Sequence, residues 1–198
     1  MSRLTKAIAR IDAANRQDPN TVEIDGTRIP AELIYGERMS AMLARVYPDA
    51  SELLQIAVRA QHIRRWEIPR DSYPMDRPGY LRWRKELGRK HAEWTSEILE
   101  TTGYNADEIA RVGTLLRKEN LRRDAETQAL EDIAALVFLA HYADDFAAKH
   151  PPEKVVTILV KTLAKMSAHG HEAASSLDLS PGVRSALEAA VAQASAGS

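Results

Sequence analysis

His62, His91 and Asp132 punctuate successive helical patterns between Ala57 and Leu139, and the carboxylates of Glu37 and Glu119 stand in register with them. A polar residue recurring at the inward edge of several helices is how a helical domain builds a metal or phosphate site. The chain has no cysteine, so a metal would have only nitrogen and oxygen donors, and thiolate sites, disulfides and cysteine nucleophiles are excluded. A phosphate would need cations, and those are concentrated in one place. Between Arg59 and Lys90 there are ten basic residues against four acidic ones, within a chain of formal net charge -1. Acidic residues downstream, such as Asp144 and Asp145, offset them, and a field polarised in this way favours an anionic ligand near the middle of the chain. A solvated, arginine-rich helix face is the plainer alternative.

The elements that must position these residues are helical. Leu4, Ile8 and Ile11 repeat at helical spacing in a helix that ends before Asp18-Pro19. Thr21 to Ile24 alternates like a strand and runs into the turn signal Asp25-Gly26. Pro30 suits the first turn of a second helix, closed by Pro48, and Ser51 opens a third whose face leads into Gln61-His62-Ile63. The proline-rich segment from Pro69 to Pro78 is a loop that carries Tyr73 and Asp76 close to His62. A long helix follows from about Gly79 to Thr101 with Gly103 as its cap, then one started by Asn105. A strongly apolar helix, capped by Asp124, continues through Phe146 towards Pro151-Pro152 as the centre of the core. Helices at about 153–176 and 181–194 complete the chain, and Ala194 to Ser198 is read as frayed.

The string Ala57 to Ile63 resembles the part of HD-domain metallophosphohydrolases where an apolar helix ends in adjacent His and Asp. Lys90-His91-Ala92-Glu93, Arg111 to Glu119 and Leu130 to Leu136 resemble later helices of that family, the last bearing its final metal-binding Asp. By this register Glu37 and Gln61 stand in place of two histidines and His62 in place of the Asp, so Asp132 alone keeps the family's residue type. The whole chain looks more closely like a bacterial family known as domain of unknown function 4202. Shared texture lies in Tyr35 to Met39, Gln61 to Trp66 and Glu126 to Asp132.

The resemblance implies an all-α, single-domain, HD-like bundle over residues 1–198, with its core at about 35–142 and C-terminal helices at about 153–194. It also implies a divalent metal, Mn²⁺, Fe²⁺, Mg²⁺ or Zn²⁺, held by Glu37, His62, Glu119 and Asp132, with a bound water as nucleophile. His91 would serve as acid or base and Lys118 as a catalytic cation, while Arg38, Arg64, Arg65 and Trp66 contact the substrate. The expected activity is metal-dependent hydrolysis of a phosphorylated small molecule or nucleotide.

Each residue also has a structural reading. Asp132 on an apolar helix needs a cation, a metal or solvent, and a salt bridge to an arginine of the basic segment would do. Glu37 can stabilise a helix dipole, and Trp83 and Trp94 read as core, with Trp66 at a rim. His169 and His171 read as surface. The rival function is a non-catalytic binding protein for an anionic metabolite or an acidic partner. RNA contact through the basic segment with Tyr73, Tyr80 and Trp83 is a less favoured third, given the near-neutral total charge. The apolar runs are too short to span a bilayer and the N-terminus leads into an amphipathic pattern, so a cytoplasmic protein without a membrane partner is expected.

Overall fold

A computed structural model describes residues 1–196. It is all-α apart from one small hairpin, as the sequence leads one to expect. The described residues are grouped into two compact units, the first Met1–Thr127 and the second beginning at Gln128.

In the first unit Ser2 caps α1 (Arg3–Asn15) by accepting from the Thr5 amide. Strands β1 (Thr21–Ile24) and β2 (Thr27–Pro30) pair antiparallel across Asp25-Gly26. Both turn residues are left-handed, with φ of 50° and 76°, as a tight two-residue hairpin turn requires. The second strand was not foreseen, and Pro30 ends it and precedes α2 (Ala31–Val46) rather than lying inside that helix. Ser51 caps α3 (Glu52–Arg59), which stops short of Gln61-His62-Ile63, so those residues form a turn and not the helix end expected for them. Asp76 accepts from Gly79 to cap α4 (Arg77–Glu100), and Asn105 with Glu108 makes a capping box on α5 (Ala106–Leu116).

Ile11, Met39, Ile56, Ile63, Leu99 and Leu115 are fully buried between these helices. Arg59 is also buried: it grips Asp12 with two hydrogen bonds of 2.6 and 2.8 Å, tying α3 to α1. One of the ten basic residues of the middle segment is thus part of the core. Gly36 makes room for it, since a β-carbon there would lie 3.0 Å from the Arg59 carbonyl oxygen.

The division falls within α6 (Ala125–His141), whose Leu130, Ile133, Leu136 and Val137 are wholly buried. The expected continuation through Phe146 is broken at Tyr142, and α7 (Ala143–Ala148) is a separate short helix. The expected helix from 153 to 176 is likewise two, α8 (Pro152–Leu163) and α9 (Ala168–Ser175). The break has a clear cause. The Ser167 amide and hydroxyl both donate to Asp132, at 2.8 and 2.5 Å, so that residue leaves the helical ladder and caps α9 instead. The last helix, α10 (Pro181–Ala196), packs on α8 and holds Ala194 to Ala196 in helical form; Gly197 and Ser198, the rest of the segment read as frayed, lie outside the described residues. No described helix is long and apolar enough to cross a membrane.

Candidate functional site

A cavity of about 950 Å³ lies in the first unit. Three segments build it: the turn after α3 supplies Gln61, His62 and Arg65, the face of α4 supplies Trp83, Arg84, Leu87 and His91, and the end of α5 supplies Leu116 to Glu119. Tyr73, from the loop expected to approach His62, lines it too. On α4 the spacing of Tyr80, Arg84, Leu87 and His91 puts four lining residues on one helical stripe. Gly88 on the same helix faces the end of α5, where a β-carbon would make ordinary contact with the Leu116 carbonyl oxygen at 3.5 Å.

The end of α5 is itself unusual. The Glu119 amide donates to the Thr114 carbonyl and the Lys118 amide to that of Leu115, a Schellman closure in which the left-handed position belongs to lysine, at φ 54°. Glycine normally occupies that position, and a β-carbon there costs about 1 kcal/mol. The strain places a cation on the cavity wall. Arg64, at φ 51°, is likewise left-handed, its amide held by the buried Asn15 side chain at 3.1 Å.

His62 stacks on Tyr35 with ring centroids 3.7 Å apart. Its Nδ1 lies 3.1 Å from a Glu32 carboxyl oxygen, and Arg65 Nη1 lies 2.8 Å from its Nε2. The same Nη1 lies 3.1 Å from Nδ1, so the guanidinium, which can only donate, faces both ring nitrogens. Burial, reinforced by the charges of Arg65, Lys118 and Arg84, holds the His62 pKa well below the usual histidine value. Burial pushes the Glu32 carboxyl up to about 7, against the pull of Arg65. The imidazole is neutral. So is that of His91, buried and surrounded by His62, Arg65 and Lys118, which lower its pKa in the same direction.

Two polar atoms at this wall have no hydrogen-bond partner among the described residues: Gln61 Oε1 and His91 Nε2. Their residues are 8% and 4% exposed, and each such atom costs about 1–3 kcal/mol. Thr127 Oγ1 is a third buried orphan, but it does not line the cavity.

Of the residues singled out from the sequence, His62, Arg65, His91, Lys118 and Glu119 meet at the cavity. Arg38, Arg64 and Trp66 do not line it; Arg64 pairs with Glu67 at 2.6 Å and lies 5.0 Å from the Trp94 ring centre. The donor set for a metal is not assembled: among the described residues no three His, Asp or Glu side chains are grouped as a metal ion needs. Glu37 projects towards solvent and pairs with Arg59 at 3.7 Å, Glu119 pairs with Arg117 at 2.6 Å, and His62 is held by Glu32 and Arg65.

Asp132 belongs to the second unit, where it accepts from the Ser167 amide and hydroxyl and from Gln128 at 3.0 Å. These three bonds come from neutral donors. His169 and His171 are exposed, as expected.

The sequence reading missed Glu32 and Tyr35. An acid and an aromatic three residues apart share a helix face, so the pair could have been recognised as one unit able to hold a ring. Nothing in the sequence says that the ring is His62.

No curated protein and no solved structure matches the chain. The sequence model of one family matches residues 5–187, and the chain accordingly belongs to the family described as Domain of unknown function (DUF4202).

Proposed function

We propose that the cavity of the first unit binds a small phosphate-bearing anion. One observation carries this reading: seven cationic side chains line the cavity against two carboxylates, and each carboxylate is already taken by an arginine, Glu86 by Arg89 and Glu119 by Arg117. Arg82, Arg84 and Lys85 have no ion-pair partner among the described residues. Such a wall raises the local concentration of anions and rewards a ligand that brings its own negative charge. Because the cavity is concave and partly apolar, through Trp83, Leu87 and Leu116, it suits a small molecule better than an extended RNA strand.

The HD-like resemblance makes phosphoester hydrolysis the reaction to test on the bound ligand. Neutral imidazoles at His62 and His91 are compatible with proton transfer at such an ester. The separate pairings of Glu37 with Arg59 and of Glu119 with Arg117 support binding over metal-dependent turnover.

Calorimetric titration with a simple phosphate monoester tests the proposal. Binding is expected to weaken by about a hundredfold in an Arg84→Gln/Lys118→Gln variant, as two charge-assisted contacts are lost, with melting temperature little changed. It should also weaken with salt. Equal affinity in parent and variant would sink the reading. Release of inorganic phosphate during the titration would add turnover to binding.

A further inference from the structure

The cations account for the phosphate but not for the buried part of the wall. We infer that the cavity takes a phosphate monoester whose body carries hydroxyl groups, with Gln61 and His91 reading hydroxyls while the cations hold the phosphate. The inference rests on the anion-binding reading and names the ligand class for that same site.

The wall is graded in polarity and exposure. Arg82, Arg84 and Lys85 are exposed, whereas Gln61 and His91 are more than nine-tenths buried and end in the two orphaned atoms. Gln61 Oε1 is an amide oxygen and can only accept. A phosphate oxygen also only accepts, so the anion itself would leave it unmet. An alkyl group would leave both atoms unmet.

An ammonium group would donate, yet it would enter a cavity lined by seven cations. A hydroxyl donates once and accepts through two lone pairs, so one such group can give its proton to Gln61 Oε1, and a hydroxyl can serve His91 Nε2 in either tautomer. His91 stays neutral among the neighbouring cations, so its ring nitrogen remains available for that exchange. A cavity of about 950 Å³ has room for a five-carbon sugar phosphate.

The test compares two dianions of equal chain length, ribose 5-phosphate and n-pentyl phosphate, by calorimetric titration of the full chain. The parent is expected to bind the sugar phosphate about tenfold more tightly, the value of one well-made hydrogen bond. Gln61→Met, nearly the same in volume, is expected to abolish that preference by weakening ribose 5-phosphate alone. Should Gln61→Met fail to fold, Gln61→Asn withdraws the same oxygen by one methylene and is expected to shrink the preference in the same direction.

Equal affinities in the parent, or a preference that survives both variants, overturns the hydroxyl reading while leaving the anion site standing. If the parent binds neither compound, the anion site falls and this inference falls with it.

Discussion

Two buried polar constellations, the cavity wall of the first unit and the Asp132 network of the second, are opposites in how they are satisfied. Asp132 is wholly buried and accepts from Ser167 twice and from Gln128 once. Gly170 seals that network, for a β-carbon there would lie 2.7 Å from the carboxylate carbon. At the cavity, Gln61 and His91 hold unpaired atoms, Lys118 keeps a left-handed backbone, and exposed cations face a concave surface. A carboxylate whose lone pairs are filled by its own fold has nothing to offer a ligand. Groups left incomplete, at a cost to stability, are where binding can be rewarded.

The sharpest way to break this contrast is Asp132→Ala. Three donors would lose a charged acceptor that is itself wholly buried, so a loss of about 4 kcal/mol is expected. Urea unfolding of parent and variant measures it. Where the variant still folds, its affinity for a phosphate monoester should equal the parent's, because Asp132 does not line the cavity. A binding defect in folded Asp132→Ala would erase the distinction drawn between the two sites.

A nearly equal effect is expected from Glu32 when pH is varied. With its folded pKa near 7 and its ordinary value at 4.5, the folded chain holds a proton that the unfolded chain has lost across that window. Stability from Glu32 is therefore full at low pH and falls by about 3 kcal/mol as pH rises through it. His62 works in the other direction, because its folded pKa lies well below 6.5 and the unfolded chain takes up the proton first as pH falls. The slopes oppose one another below about pH 6.5. Glu32→Gln removes the first and uncovers the second. Relative to the parent, the variant should gain about 3 kcal/mol more stability at pH 8 than at pH 5, measured by denaturant midpoints. A gap that does not change with pH would mean that Glu32 is not held neutral.

The same contrast explains what could be read from the sequence. Helix caps are local chemistry, so Ser51, Asn105 and the Asp25-Gly26 turn were legible at once. Tyr73 beside His62 was legible too, since a short proline-rich loop has little choice about where it returns. The break before α9 was not, because it depends on Asp132, 35 residues earlier, capturing Ser167. Asp132 was expected to need a cation, a metal or solvent; its bonds from the neutral donors Ser167 and Gln128 are long-range facts that residue types alone do not carry. The basic run between Arg59 and Lys90 pointed to an anion, but only contacts separate the core residue Arg59 from the wall residues Arg65 and Arg84.

Lys118→Gly sharpens the comparison from the cavity side. Glycine relieves the left-handed strain at the end of α5, so the variant should be more stable by about 1 kcal/mol, a higher melting temperature by a few degrees. It also loses one cation from the wall, and affinity for a phosphate monoester should fall about tenfold. Stability and binding moving in opposite directions is the signature of strain kept for function. If both fall together, Lys118 is a structural residue.

The smallest effect belongs to Arg64, which sequence alone places among the substrate contacts. It sits beside the cavity segment yet spends its charge on Glu67 and its guanidinium face on Trp94. Asparagine tolerates the left-handed backbone at this position, so Arg64→Asn removes the charge without adding strain. Because the Arg64–Glu67 pair is exposed and screened, affinity for a phosphate monoester should change by less than about twofold. Arg65→Gln, one residue along, takes away both a cavity cation and the partner of His62, so its loss should be several times larger. Titrating the two variants side by side separates proximity in sequence from membership of the wall. Equal losses would show that the anion feels the whole basic segment as a diffuse field, and the cavity would then owe its affinity to net charge rather than to the particular residues that line it.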